Sequence, residues 1–268
     1  MLPVIAFPAI DPIALQLGPL AIRWYALAYI AGILLGWRYA SWLAGRRGAA
    51  IPPQAFDDFV MWATLGIILG GRLGYVLFYK PFYFLANPAE IIMVWQGGMA
   101  FHGGLLGVVA ATWWFTRRRG LSFLSLADLV CAAAPIGLFF GRIANLINGE
   151  LWGRPSEVAW AMVFPHAGQL PRHPSQLYEA ALEGLLLFAV LAALARRDAI
   201  LARPGLLSGV FFLGYGLTRS AAEFFREPDA HFGFLMGGAT MGQILSIPMI
   251  LFGAALIRHA QRQAINHG

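Results

Sequence analysis

Charged side chains are scarce in this sequence of 268 residues. Asp, Glu, Lys and Arg supply 12% of it, whereas a soluble domain carries about 25%. Hydrophobic residues make up 59%, and the mean hydropathy is +0.66. Because the deficit of charge extends over the whole length, the composition excludes a soluble protein and predicts an integral membrane protein. We expect residues 1–268 to form a single membrane-embedded domain.

Cysteine and lysine each occur once. Cys131 alone cannot form an intrachain disulfide. Lys80 lies outside the apolar stretches, which argues against a retinal protein with a Schiff-base lysine. No His-Glu-x-x-His zinc motif occurs, and we expect neither a metal nor a cofactor. The first basic residue is Arg23, and Asp11 precedes it; this pattern is unlike that of a secretory signal peptide.

Seven stretches are long and apolar enough to cross a bilayer, which requires about 20 mostly apolar residues. They are Leu20–Leu43, Phe56–Tyr79, Gly98–Phe115, Leu126–Leu146, Gln176–Leu194, Gly205–Phe224 and Met241–Ile257. The pattern predicts an all-α integral membrane protein with seven transmembrane helices. No internal repeat is visible, which argues against the transporters that are built from repeats.

Basic residues are distributed unequally between the two sides of these predicted helices. Eleven follow the first, third, fifth or seventh helix, and five lie on the other side. The larger group is Arg38, Arg46, Arg47, Arg117, Arg118, Arg119, Arg196, Arg197, Arg203, Arg258 and Arg262, and the smaller group is Arg23, Lys80, Arg154, Arg172 and Arg226. Because Lys and Arg are enriched in cytoplasmic loops, we expect the N-terminus outside and the C-terminus in the cytoplasm. The net charge of +6 then reflects topology, and no nucleic-acid partner is expected.

Polar side chains within the predicted helices concentrate in the outer halves. They are Tyr25, Arg72, His102, Arg142, Asn145, Gln176, Tyr178, Glu179, Tyr215, Arg219 and Glu223. We expect a transport path to place polar groups through the full thickness of the membrane. Ionisable groups within a membrane are costly and usually functional, so their concentration at one depth predicts a site that opens to the outer leaflet.

Helical spacing places several of these side chains on shared faces. Residues three, four or seven apart lie on one side of a helix. The sets with this spacing are Arg142, Asn145 and Gly149; Glu179 and Glu183; and Tyr215, Arg219 and Glu223. We therefore expect the polar groups of different helices to converge.

Three arginines at similar predicted depth, Arg72, Arg142 and Arg219, outnumber the obvious acids near them, Glu150 and Glu223. This excess favours an anionic ligand, with internal ion pairs as the alternative. The planar guanidinium matches phosphate oxygens in a two-point geometry. A phospholipid headgroup is the anion available at this depth.

His102 is open to two interpretations. Its imidazole titrates near pH ~6.5, so that a role as a base is chemically possible. The alternative is an interfacial histidine that is bonded to a carbonyl group or to water.

The segment Gly141–Arg154 reads GRIANLINGELWGR, and it resembles the signature of the prolipoprotein diacylglyceryl transferase family. Further matches lie in Gly71–Tyr75, Gly97–Gly104, Arg172–Glu179, Gly214–Arg226 and Met241–Ser246. The resemblance covers essentially the whole chain. One departure is the stretch Gly153–Arg172, which is shorter than in some members of the family.

The resemblance implies an enzyme of the bacterial cytoplasmic (inner) membrane, with its active site facing the outer leaflet. The family moves the diacylglyceryl group of phosphatidylglycerol to the thiol of the lipobox cysteine in a prolipoprotein. The products are a thioether and glycerol phosphate, and the reaction is the first step of lipoprotein maturation. The implied partners are phosphatidylglycerol, prolipoprotein signal peptides and membrane lipid. The substrate brings the nucleophile, so the enzyme needs no catalytic cysteine.

The resemblance also implies roles for individual residues. His102, Arg142 and Arg219 are the expected catalytic residues, with His102 as base and the arginines neutralising the leaving phosphate. Phosphatidylglycerol is expected to bind Tyr25, Arg142, Asn145, Gly153 and Arg219, and the expected supporting residues are Arg72, Asn148, Glu150, Tyr215 and Glu223.

Three alternatives to these roles remain open. Positive potential alone is sufficient to activate the thiol, which would leave His102 structural. A transporter or flippase for an anionic lipid would bind the same headgroup. In a non-catalytic assembly or receptor protein, the arginines would form internal ion pairs.

Overall fold

Helices make up most of the chain. The structure, a computed structural model, describes residues 5–8, 10–18, 20–228 and 233–266. In chain order the helices are α1 (Trp24–Ala44), α2 (Pro53–Phe78), α3 (Pro81–Ala86), α4 (Phe101–Arg119), α5 (Phe123–Ile147), α6 (Ser175–Glu179), α7 (Leu187–Ala195), α8 (Asp198–Leu201), α9 (Leu206–Ala222) and α10 (Met241–Asn266). The π-helical segment Ala180–Leu186 joins α6 to α7 in one continuous helix. Short 3-10 turns occur at Pro88–Ile92, Val94–Gln96 and Met236–Gly238.

Four helices in the described part of the chain are long and apolar enough to cross a membrane. They are Pro53–Phe78, Phe123–Ile147, Ser175–Ala195 and Met241–Gln263. These coincide with the second, fourth, fifth and seventh predicted spans, so the prediction of a helical membrane protein is confirmed. The other three predicted spans fall on α1, α4 and α9, which have 21, 19 and 17 residues. Seven crossings and the orientation of the termini remain predictions.

Two small sheets accompany the helices, and the all-α prediction did not include them. The strands are β1 (Ile5–Ala6), β2 (Ile13–Leu17), β3 (Leu20–Arg23) and β4 (Met162–Val163); β1 is parallel to β4 and β2 is antiparallel to β3. The predicted start of the first span at Leu20 is wrong, because Leu20–Arg23 is a strand and α1 begins at Trp24. Gly18 has a φ of +57°, a conformation that glycine adopts easily and that suits a tight reversal of the chain.

The chain divides into two compact units. The first comprises Met1–Ala40 and Asp128–Gly268, and the second comprises Ser41–Ala127. The prediction of a single domain over residues 1–268 is not tested by this division.

Glycines set the contact between α2 and α4 in the second unit. A Cβ atom on Gly66 would lie 2.6 Å from the carbonyl oxygen of Gly107, and one on Gly74 would lie 2.8 Å from the Cα atom of Gly103. Both distances are shorter than any real Cβ contact. Small residues let the backbones of two membrane helices approach closely, so this pair packs through its main chains.

In the first unit, Asp128 of α5 holds the N-terminus of α9. Its carboxylate accepts hydrogen bonds from the backbone N–H groups of Gly205 (2.8 Å) and Ser208 (2.6 Å) and from the Ser208 hydroxyl (2.7 Å). The first N–H groups of a helix have no partner within it, and a carboxylate there also complements the helix dipole. This contact explains the single acidic residue in the otherwise apolar first part of α5.

Candidate active site

Six buried or half-buried charged side chains of the first unit form a network that we call the Arg–Glu cluster. Its members are Arg142 of α5, Glu179 and Glu183 of the Ser175–Ala195 helix, and Arg219, Glu223 and Arg226 of α9 and the turn that follows it. The side chains of Glu179 and Glu183 are completely buried, and Glu223 is 2% exposed. Three positive and three negative groups therefore share a poorly hydrated site.

Glu179 lies at the centre of the cluster. Its Oε1 atom is 2.5 Å from Nη1 of Arg219 and 3.1 Å from Nη1 of Arg226, and its Oε2 atom is 3.1 Å from Nε of Arg142. One carboxylate thus bridges three guanidinium groups. Buried charges require such pairing, because removal of one partner of a buried ion pair costs about 3–5 kcal/mol.

The other two acids, Glu183 and Glu223, each make two ion pairs, compared with three for Glu179. Oε2 of Glu183 lies 3.0 Å from Nη2 of Arg142, whereas Oε1 of Glu183 is 3.6 Å from Nη1 of Arg219 and makes no hydrogen bond in the structure. Glu223 pairs with Nη2 of Arg219 one turn away, and its Oε1 atom is 3.9 Å from Nε of Arg226. Among the described residues, Glu183 thus receives both of its side-chain hydrogen bonds from Arg142 alone.

Arg142 and Arg219 are the members of the cluster that a ligand can reach. Each side chain is 16% exposed. Among the described residues, the ion pairs of Arg142 use Nε and Nη2, and those of Arg219 use Nη1 and Nη2. Nη1 of Arg142 and Nε of Arg219 stay outside these ion pairs, so that one donor of each guanidinium can still face an anion.

The predicted excess of arginines over local acids is wrong. The sequence suggested Glu150 and Glu223 as the acids near the arginines, but in the structure Glu179 and Glu183 pair directly with Arg142 and Arg219. Their spacing of four residues in an apolar helix was a usable signal, because two acids on one buried face need cations from neighbouring helices. Arg226, which was counted only for topology, also belongs to the cluster.

The turn after α5 is built around Glu150. Its carboxylate accepts hydrogen bonds from the side-chain amides of Asn145 (2.8 Å) and Asn148 (3.4 Å). The sequence placed Glu150 among the acids near the arginines, whereas the hydrogen bonds to its side chain come from these two amides. Its carbonyl oxygen accepts a bond from Gln176 (2.6 Å), and the next residue, Leu151, has a φ of +60°. Such strained conformations of non-glycine residues persist where surrounding contacts enforce them, often at functional sites.

Gly153 occupies a tight position between two other segments. Its N–H group donates to the carbonyl oxygen of His173 (2.9 Å), and its carbonyl accepts from Arg172 (3.1 Å). A Cβ atom here would lie 2.5 Å from the His173 carbonyl oxygen and 2.6 Å from that of Phe225. Packing thus explains this glycine without the lipid contact that the resemblance implied.

Tyr215 of α9 lies near the cluster. It is half-buried and within electrostatic range of Arg142 and Arg219. Tyr25 of α1 packs its ring 5.1 Å from that of Tyr29, which is within electrostatic range of Arg142 and Glu150. The predicted residues of α5 and α9 therefore converge within the first unit, and Tyr25 is linked to them through Tyr29.

His173 marks the edge of the site just before α6. Burial lowers the pKa of its imidazole, and its Nδ1 atom is 3.0 Å from the hydroxyl of Tyr178. The same hydroxyl accepts a hydrogen bond of 2.6 Å from the indole of Trp160. This chain of contacts fixes the entry to the Ser175–Ala195 helix.

Arg72 lies in the second unit and binds backbone carbonyl groups. Its guanidinium donates to the carbonyl oxygens of Gly97 (2.5 Å), Glu90 (2.6 Å), Ile91 (2.8 Å) and Gly98 (3.2 Å). The residue is 5% exposed. These bonds hold the segment between α3 and α4 to α2, which is a structural use of the arginine.

His102 also belongs to the second unit. It lies in the first turn of α4, where it is exposed, and its ring packs edge-on against Phe101 with centroids 5.6 Å apart. The exposed imidazole is accessible to a substrate, and its role as base remains a prediction.

Comparison with known proteins identifies relatives over nearly the full length. The model of the prolipoprotein diacylglyceryl transferase family matches residues 12–259. A phosphatidylglycerol–prolipoprotein diacylglyceryl transferase of Paramagnetospirillum magneticum is 64% identical over 260 residues, 97% of each chain. Proteins of the same name from Azospirillum brasilense and Rhodospirillum rubrum are 60% identical, over 97% and 98% of this chain and 97% and 96% of their own lengths. The chain therefore belongs to the prolipoprotein diacylglyceryl transferase family.

Proposed function

We propose that this protein transfers the diacylglyceryl group of phosphatidylglycerol to the thiol of a prolipoprotein's lipobox cysteine. The names of the full-length relatives give the donor and the acceptor. The observation that carries the proposal is the position of Arg142 and Arg219 on two different helices, both paired with Glu179 and both partly exposed. This pair forms a preorganised cradle for one phosphate group.

The reaction is a substitution at carbon. The thiolate of the acceptor attacks the glycerol carbon that carries the phosphate, a C–S bond forms, and the C–O bond breaks. The electron pair leaves with the oxygen of glycerol phosphate, and the thiol proton passes to a base. Arg142 and Arg219 stabilise the negative charge that grows on the phosphate, because fixed cations in a poorly hydrated site act strongly on developing charge.

Two routes can generate the thiolate. A free thiol has a pKa near ~8.5, so it needs a base or positive surroundings. His102, which is exposed at the start of α4, is our candidate for the base. In the alternative, the positive potential of the arginines activates the thiol and His102 is structural.

The remaining assignments extend this mechanism. Tyr25 and Asn145 position the hydroxyl or ester groups of the donor, while Glu150 orients Asn145. We place the site at the outer leaflet of the bacterial cytoplasmic membrane, in a protein with seven crossings, an external N-terminus and a cytoplasmic C-terminus. The prolipoprotein signal peptide then presents its cysteine from within the same membrane.

The test is transfer by the purified protein to a lipobox peptide, followed by mass spectrometry. We expect the peptide to gain a diacylglyceryl group and glycerol phosphate to appear in equal amounts. A peptide with serine in place of the lipobox cysteine is the control and should stay unmodified. Phosphatidylethanolamine should be a poor donor, because its ammonium group brings positive charge to the arginines.

Two outcomes would contradict the proposal. Equal use of both lipids would contradict recognition of the headgroup by the arginines. Movement of phosphatidylglycerol between leaflets without a thioether product would instead support the transporter alternative.

A further inference from the structure

Glu183 stands apart from the other acids of the Arg–Glu cluster. It is completely buried, its Oε1 atom makes no hydrogen bond, and the two hydrogen bonds to its Oε2 atom both come from Arg142. Oε2 of Glu179 also makes no hydrogen bond, but its Oε1 atom accepts hydrogen bonds from two other arginines, Arg219 and Arg226. An ionised carboxylate that loses its partner in a buried site is strongly destabilised. Glu183 is therefore the acid most sensitive to a ligand that competes for Arg142.

A phosphate group would compete in this way. Nε and Nη2 of Arg142 both donate to Oε2 of Glu183, at 3.4 and 3.0 Å, and Nε also lies 3.1 Å from Oε2 of Glu179. Two-point binding of a phosphate needs two adjacent donors of one guanidinium. Nε and Nη2 form one such pair of donors, so a phosphate that binds this edge of the guanidinium takes both hydrogen bonds from Glu183.

The charges of the cluster lead to the same conclusion. Three arginines and three glutamates balance each other when all six are ionised. A phosphodiester adds one negative charge in a region where unpaired charge is costly. Uptake of one proton by a carboxylate restores neutrality.

We propose that Glu183 takes up a proton from water when the phosphate of the lipid donor binds to Arg142 and Arg219. The inference rests on the proposed function and adds a positioning role for Glu183. When the substrate binds, Glu183 gives up its hydrogen bonds from Arg142, and the phosphate accepts them instead. The charged and titratable groups that face Glu183 are Arg142 on α5, Arg219 and Tyr215 on α9, and Glu179 one turn away on its own helix. The arginines stay charged, and Glu179 keeps Arg226 as a further partner.

Calorimetry can count the protons. Binding of phosphatidylglycerol in neutral detergent micelles would be measured at one pH in two buffers with different ionisation enthalpies. The unmodified protein should take up about one proton per bound lipid, and its affinity should fall about tenfold per pH unit where this uptake occurs. Glu183→Gln should bind the lipid with almost no proton uptake. Glu157→Gln, an exposed control outside the cluster, should behave like the unmodified protein.

Binding without proton uptake by the unmodified protein would overturn the inference, and so would unchanged uptake by Glu183→Gln. Loss of uptake in Glu179→Gln, with normal uptake in Glu183→Gln, would assign the proton to Glu179 instead. A failure of phosphatidylglycerol to bind at all would count against the proposed function, and it would remove this inference as a consequence.

Infrared difference spectroscopy gives a second measurement in case Glu183→Gln does not fold. Addition of the lipid to the unmodified protein should produce the carbonyl band of a protonated carboxylic acid. Glu183→Asp retains a carboxyl group and should shift that band. A band that is absent, or that Glu183→Asp leaves unmoved, would contradict the proposal.

Discussion

Arg142 combines two roles at the scale of a single residue. It pairs with both buried acids of the Ser175–Ala195 helix, and it keeps one donor outside these ion pairs. Its truncation would therefore damage both the fold and the reaction. Lysine retains the charge but loses the planar fork, so substitutions at this position can separate the two roles.

We expect Arg142→Lys to remain folded and to lose transfer activity about tenfold or more, and Arg142→Ala to lose about 100-fold or more. Turnover should fall more than apparent lipid affinity if the phosphate contact strengthens in the transition state. Thermal stability would be measured beside transfer to the lipobox peptide. Arg142→Ala with Glu183→Gln should recover stability, because no unpaired carboxylate remains beside the lost cation, yet it should not recover transfer. Recovered transfer activity in this double variant would show that Arg142 acts only as a structural ion-pair partner.

A second residue-scale prediction separates anchoring by Arg72 from binding of the headgroup. Arg72→Lys cannot serve four carbonyl groups at once, so we expect a loss of stability of about 2 kcal/mol. Amide hydrogen exchange should become faster between residues 88 and 98, whereas the affinity of the folded protein for phosphatidylglycerol should not change. Arg118→Lys, at an exposed position, is the matched control. Weaker binding of phosphatidylglycerol with an unchanged rate of amide hydrogen exchange would instead indicate that Arg72 binds the lipid headgroup.

Sequence reasoning located Arg142, Tyr215 and Arg219 on faces that converge in the structure, because helical spacing alone fixes which side chains share a face. It missed the pairing with Glu179 and Glu183. These contacts join residues about 40 positions apart, and only the packing order of the helices decides which faces meet. The structural role of Arg72 was also missed, because its hydrogen-bond acceptors are main-chain carbonyl groups, which carry no sequence signal.

At the scale of the helices, α2 and α4 depend on glycine at their crossing. Gly107→Ala should destabilise the protein by about 1–3 kcal/mol through overpacking, since its Cβ atom would collide with the main chain of Gly66. Gly137→Ala is the matched control, because a Cβ atom there meets nothing within 4 Å. Thermal unfolding in one detergent would compare the two variants. Equal melting temperatures would show that the close approach is not needed.

Helix existence was easier to predict than helix detail. Long apolar runs identified the four helices of the described chain that can cross a membrane, because length and hydropathy are properties of the segment itself. The hairpin before α1 and the π-helical segment Ala180–Leu186 were not predicted. Both depend on backbone conformation rather than composition, and Leu20–Arg23 is as apolar as the helix that follows.

For the whole molecule, the distribution of arginine predicts which side faces the cytoplasm. A cysteine in place of Arg118 should be protected from a membrane-impermeant thiol reagent in intact cells, and one in place of His166 should react. Both positions are exposed, while the native Cys131 is buried and gives little background. Disruption of the membrane should make Arg118→Cys reactive. The reverse pattern in intact cells would invert the orientation and move the site to the cytoplasmic face.

The π-helical segment has a consequence for insertions and deletions in this family. A π-helix fits about one more residue into a turn than an α-helix does, so removal of Leu182 should let the segment relax to an α-helix and leave Ser175–Glu179 facing nearly as before. Removal of Ala189 from the α-helical part has no such compensation, and because an α-helix turns by about 100° per residue, it should rotate Glu179 away from Arg219. Both shortened helices would still have about the 20 residues that a crossing needs. Cells that make either deletion variant should therefore contain normal amounts of inserted protein, measurable by immunoblot, but only the Ala189 deletion should cause unmodified lipoprotein precursors to accumulate.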